Sequence, residues 1–218
     1  MMGYNGENAR KVVFDLETAP LLDAANYLVE PISAPSNYKS PEAIARYVED
    51  AKAAQLEKCS LDPDLCRIVA LGWQIEGMPV HVGICEHEEA EAEVLNLFWY
   101  QASALHLVGF NCLAFDLPVL LRRALYLDAA RPSIQIDKYK HPQVTDLQMV
   151  LSFNGAQKMH SLSFYAKRFG IPSDDTLTGA DIGQAVKEGR WEDVRSHCRA
   201  DVLKTAAVAA KMGLFTCA

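Results

Sequence analysis

Apolar and polar positions follow two periods along this chain, and the period changes where the structure should change. The run Val12-Val13-Phe14, flanked by Lys11 and Asp15, predicts a buried first strand over Lys11–Asp15. Arg67–Ile75 and Pro79–Ile84 are apolar and strand-like, and Glu76-Gly77-Met78 between them reads as a hairpin turn that continues the same sheet. Glu86–Gln101 changes to a helical period, with Ala92, Val94, Leu95, Leu97, Phe98 and Trp99 on the inward side. Leu105–Phe110 is another short strand ending at Gly109-Phe110-Asn111, and Asp116–Asp128 reads as the next helix. An irregular connection with a short strand near Ile134 is expected over 129–145. Helices are then expected over Asp146–Phe153, Leu162–Phe169, Asp181–Glu188 and Trp191–Met212, interrupted at Gly155, Gly170-Ile171-Pro172 and Gly189. Strands and helices that alternate in this way predict an α/β sheet with a covered core.

Residues 19–62 break the pattern. Ala19-Pro20-Leu21-Leu22 reads as a turn or short helix, and Pro31, Pro35 and Pro41 punctuate the segment beyond it. Ser40-Pro41-Glu42-Ala43 has an N-cap, proline in the first helical turn and an acid near the start, which predicts a helix running to about Lys58. Its apolar stripe (Ile44, Tyr47, Val48, Ala51, Leu56) is thin, as in a surface insertion. Tyr38, Lys39 and Arg46 could meet a nucleic-acid strand there, though a solvated helix explains them as well.

At 218 residues, half of them apolar, the chain suits a single globular domain, 1–218, with a loose polar N-terminus at 1–10. No run approaches the ~20 apolar residues of a membrane span. Met1–Arg10 lacks the layout of a signal peptide, so a soluble, cytoplasmic protein with no membrane partner is expected. The six cysteines form no Cys-x-x-Cys pair, and Cys59, Cys66, His81, Cys85 and His87 match no zinc spacing, so reduced thiols are expected. The net charge of −7 argues against a broad basic grip on duplex nucleic acid. It leaves room for a phosphodiester substrate, because acids gathered around metal ions contribute to that total.

Three places carry candidate chemistry. In a strand, Asp15 and Glu17 project to one side while Phe14 and Leu16 face the other. Two carboxylates so close raise each other's pKa unless a cation lies between them, and oxygen donors suit Mg²⁺ or Mn²⁺. The plain alternative is a pair of solvated acids at a strand end. Asp116 comes after Gly109-Phe110-Asn111 where a strand hands over to a helix, with Pro118 in the first turn, and helix capping alone would also account for it. On the last helix, His197 and Asp201 are spaced i, i+4 on a face that Val202, Ala206 and Ala209 suggest is packed. A buried His–Asp hydrogen bond is the alternative there.

Taken together, Phe14-Asp15-Leu16-Glu17-Thr18, Asn111 to Asp116 and His197 to Asp201 resemble, in order and spacing, the three motifs of the DEDD superfamily of 3′–5′ exonucleases. The nearest branch is that of family B DNA polymerase proofreading domains and their stand-alone relatives. Asp62-Pro63, Arg67 to Trp73 and Asp146-Leu147 are similar too, and the likeness covers roughly residues 11–212. One departure stands out. The polymerase-like branch has Tyr four residues before its last Asp, where this chain has His197, and the histidine branch has His five residues before, where it has Ser196.

The resemblance implies a ribonuclease H-like fold, a central mixed β-sheet flanked by helices, with a helical insertion after the first strand. It implies a 3′–5′ exonuclease acting on single-stranded DNA with a free 3′ end through two divalent ions, Mg²⁺ or Mn²⁺. Asp15, Glu17 and Asp201 would hold one ion, Asp15 with the scissile phosphate the other, and Asp116 would order water on the second, so that four carboxylates balance two divalent cations. His197 would act as general base or water orienter. Leu16 and Thr18 would contact the terminal nucleotide, and Asn111 and Phe115 the next strand position, Phe115 being equally suited to the core. With no polymerase domain expected here, a replication or repair partner would act in trans. RNA trimming and a catalytically idle binding module of the same fold remain the alternatives.

Overall fold

A computed structural model describes residues 10–28, 32–134, 137, 140–172, 175 and 177–217. The expected loose segment before Arg10 and the position of Pro31 lie outside the described residues. Among the described residues, five strands form one mixed sheet: β1 (Lys11–Pro20), β2 (Cys66–Ile75), β3 (His81–Ile84), β4 (His106–Gly109) and β5 (Val144–Asp146), in the order β3-β2-β1-β4-β5. β1 pairs antiparallel with β2 and parallel with β4; β2 with β3 is antiparallel and β4 with β5 parallel. The β2–β3 connection is the expected hairpin, with Gly77 at φ +73° in the left-handed region that glycine enters without strain. The helices are α1 (Pro41–Lys58), α2 (Glu88–Ala102), α3 (Asp116–Tyr126), α4 (Leu147–Leu151), α5 (Leu162–Arg168), α6 (Ile182–Lys187) and α7 (Trp191–Lys211).

The alternation of β1 builds both layers. Val12, Phe14 and Leu16 join Trp73, Leu95, Phe98, Leu117 and Leu120 in a core between one sheet face and α2 and α3. Val13 and Val108 pack on the other face with Val202, Ala206 and Ala209 of α7. Where α7 crosses, Gly72 of β2 lies opposite Asp15, and a Cβ there would stand 2.7 Å from Val202 Cγ2 and 3.0 Å from Cys198 Sγ. The missing side chain lets the helix lie close on the sheet.

Several elements differ from the sequence pattern. β1 continues through Thr18 to Pro20, because β2 pairs along its whole length with one irregularity at Glu17/Thr18, where Val69 of β2 has no partner. Bulges of this kind bend a strand and re-aim its side chains. Ala24–Tyr27 form a short 3₁₀ helix. α1 begins as expected, the Ser40 hydroxyl accepting from Ala43 N, and none of its residues is buried; Tyr38 packs its ring against Tyr47.

Ile134 itself is in no strand and the residues after it lie partly outside the described ones; the strand described in this connection is Val144–Asp146, and the helix expected from Asp146 begins one residue later with Asp146 as its N-cap. A three-residue strand leaves little periodicity to read. In α2, Leu97 is exposed and Glu91 is fully buried, reversing the pattern. Glu91 grips Arg123 of α3 through two bonds of 2.7 and 2.8 Å and accepts from Ile68 N at 3.0 Å. That set of bonds satisfies the charge that hydropathy had placed outside.

Candidate active site

β1 and β4 run parallel, so their carboxyl ends open on the same edge of the sheet, where crevices form in such folds. Beyond the last β1–β4 pair, Val13 with Val108, β1 carries Asp15 and Glu17 onto the α7 face. The chain leaving β4 turns through Asn111, at φ +59°, and starts α3 at Asp116. Asp146 braces this turn: its carboxylate accepts from Asn111 N (3.0 Å), Leu113 N (3.1 Å), Gln148 N (2.9 Å) and Met149 N (3.3 Å). α7 supplies His197 and Asp201 one turn apart. Asp15, Glu17, Asp116, His197 and Asp201 all line one cleft of about 280 Å³.

Leu16 and Phe115 line the same cleft. Thr18 and Asn111 are not among its lining residues. The Thr18 hydroxyl donates to Ser60 O at 2.6 Å, and the Asn111 backbone is held by Asp146.

The acids are under electrostatic stress. Burial, then the charges of Asp116, Glu17 and Asp201, pushes the Asp15 carboxyl well above its ordinary value. Burial, then Asp201 and Asp116, does the same to Glu17. Burial raises Asp116 to about 7, even with backbone hydrogen bonds at Asp116 and Leu16 pulling it down. Carboxyl groups desolvated together in this way are stabilised when cations enter among them.

The donor set fits hard divalent ions. Oxygen or nitrogen atoms of Glu17, His197 and Asp201 lie within 4.8 Å of one another, as do donor atoms of Asp15, Glu17 and Cys198. Burial pushes the Cys198 thiol well above its ordinary value, and it donates to Asp15 O at 3.8 Å. It therefore remains a thiol rather than a soft thiolate ligand, leaving a carboxylate site of the kind Mg²⁺ and Mn²⁺ prefer.

Residues 61–217 match a family model described as a predicted 3′–5′ exonuclease related to the exonuclease domain of PolB. The chain belongs to that family. The matched span contains Asp116, His197 and Asp201, while Asp15 and Glu17 precede it. The chain is also similar to the family B DNA polymerase of the hyperthermophilic archaeon Pyrobaculum calidifontis, with a TM-score of 0.59 and 17% identity over 94% of this chain and 24% of that one. That likeness establishes the fold, an α/β architecture like that of a polymerase exonuclease domain, and the chain spans about a quarter of the polymerase's length. No curated protein matches the chain. Among the described residues no helix is long and apolar enough to cross a membrane.

Two charged groups in the cleft of this family member were not singled out from the sequence. Asp175 lies between α5 and the 3₁₀ turn Gly179–Asp181. Lys204 lies one turn beyond Asp201 on α7, pairs with it, and reaches Asp175 Oδ2 at 3.1 Å. Burial lowers Lys204, but Asp201 and Asp175 outweigh it and leave the ammonium above its ordinary value. Spacing along α7 could have flagged Lys204, since positions 197, 201 and 204 share a helix face. Nothing local marks Asp175.

Proposed function

We propose that the protein is a two-metal 3′–5′ exonuclease that removes nucleotides from the 3′ end of single-stranded DNA, and that residues 1–218 make up one exonuclease domain. The observation that carries this reading is the meeting of four carboxylates from β1, α3 and α7 in one cleft, three of them driven above their ordinary pKa. A purely structural cluster would gain nothing from such mutual repulsion.

Asp15, Glu17 and Asp201 would hold one divalent ion, and Asp15 with Asp116 would face the second. A pair of Mg²⁺ or Mn²⁺ ions supplies the positive charge that an in-line displacement at phosphorus needs on its attacking and leaving oxygens. The chain does the rest. His197, 5% exposed with Nε2 3.5 Å from Glu17 Oε1, borders the acids and is the group suited to orient the attacking water and accept its proton. Leu16 and Phe115 offer apolar surface to the terminal base and sugar, a contact indifferent to sequence. Thr18 and Asn111, which do not line the cleft, are proposed as further contacts to the strand end.

A free 3′ end threaded into a narrow cleft needs few basic contacts, in keeping with the net charge of −7. The test is release of mononucleotides from a 3′-labelled oligonucleotide in Mn²⁺, with a matched RNA strand beside the DNA. Asp15→Ala and Asp201→Ala should abolish release, and His197→Ala should slow it by about 10²–10⁴-fold. No release by the parent protein would favour the idle binding module. Equal rates for His197→Ala and parent across pH 6–9 would remove His197 from the mechanism.

A further inference from the structure

His197 is held at the ring nitrogen that does not face Glu17. Its Nδ1 lies 2.8 Å from Asp175 Oδ2, and the same oxygen receives Lys204 Nζ at 3.1 Å. All three side chains are less than a tenth exposed. Burial would raise Asp175, but the bonds from His197 and Lys204 outweigh it and keep the carboxyl below its ordinary value. An ionised carboxylate only accepts hydrogen bonds, so the nitrogen facing it must donate. In the neutral ring that places the proton on Nδ1 and the lone pair on Nε2. Nε2 is the atom 3.5 Å from Glu17 Oε1, on the cleft side.

On this geometry, and resting on the exonuclease reading above, we infer that Asp175 is the positioning residue for His197, fixing the ring orientation and tautomer that present a bare Nε2 to the attacking water. Lys204 completes the device. His197 and Lys204 stand seven residues apart, two turns of α7, and both reach the same oxygen of Asp175, so a carboxylate from outside the helix bridges the two positions. The ammonium is shared, since Lys204 pairs with Asp201 as well as with Asp175, so the fifth acid enters the cleft beside a cation rather than alone. A histidine held on one nitrogen by a buried carboxylate, with the other nitrogen facing the substrate, is the arrangement by which serine hydrolases fix their general base. Here it would be assembled from a different fold.

The test uses the whole protein at pH 8.5, with and without Mg²⁺. Long-range ¹H–¹⁵N correlation spectra report which nitrogen of His197 carries the proton. The parent should show Nε2 bare and Nδ1 protonated. Asp175→Ala should lose this single-tautomer signature, and Asp175→Glu should recover part of it. Asp175→Ala should lower kcat about tenfold or more with KM little changed, and should cost nothing further in a His197→Ala background. A parent ring with Nδ1 bare would overturn the inference without any variant. So would an Asp175→Ala loss of the same size with and without His197. A parent that releases no nucleotide would overturn the exonuclease reading and the catalytic part of this inference together, whereas an active parent with the wrong tautomer would overturn this inference alone.

Discussion

The stress on the acids predicts an unusual pH dependence of stability in the metal-free protein. A carboxyl whose folded pKa exceeds its unfolded one stabilises the fold fully below the unfolded value, and that contribution is lost as pH rises through the folded value. For Asp116 the window runs from an ordinary 3.8 to about 7. A shift of about three units corresponds to on the order of 4 kcal/mol at most, and Asp15 and Glu17 move in the same direction. At roughly 2–4 °C per kcal/mol for a domain of this size, the melting temperature in EDTA should fall by about 10 °C between pH 5 and pH 8. Asp175 works the other way: its lowered pKa stabilises above the ordinary carboxylate value and is lost only in stronger acid, so it does not mask the descent. Mn²⁺ at millimolar concentration should recover most of the loss at pH 8 and little at pH 5, where protons compete for the carboxylates. Asp116→Asn should flatten the EDTA profile by its own share and raise the metal-free melting temperature at pH 8. Scanning fluorimetry in EDTA and in Mn²⁺ over pH 5–9 measures all of these. A metal-free melting temperature that stays level or climbs from pH 5 to 8 would refute the claim that burial, reinforced by neighbouring charge, holds these acids above their ordinary values.

Other expectations concern the frame that aims the acids. Glu91→Ala should cost about 3–5 kcal/mol in urea unfolding, since it leaves the 2%-exposed Arg123 with only the exposed Glu88, 3.6 Å away, while Glu91→Leu with Arg123→Met should recover much of that. Gly72→Ala should cost about 1–3 kcal/mol, because the added methyl meets Val202 and Cys198, and should weaken Mn²⁺ binding by calorimetry as α7 lifts away from Asp15. Asp146→Ala should cost about 1–3 kcal/mol by leaving the Asn111 and Leu113 N–H groups without their acceptor. Faster amide exchange at those two residues, with that of α7 unchanged, would identify this cause.

Local and periodic features are legible in the amino-acid order. The alternation of Val12 to Leu16 sets two faces of β1, the Ser40-Pro41 signal starts α1, and Gly77 marks the hairpin, because each rests on the backbone geometry of neighbouring residues. Order and spacing also make the exonuclease family legible, since motifs on successive elements keep their order however they pack. Other features come into being only when the chain is folded. Glu91 reads as a solvent-facing acid until Arg123 and Ile68 N come within reach from other elements. β5 is too short to show a period, and only its neighbour β4 makes it a strand. Asp175 reads as a loop acid until α7 brings His197 and Lys204 to a single one of its oxygens. In each case a charge or a short segment acquires its meaning from a partner far away in the chain, because burial and Coulomb energy depend on distance through space.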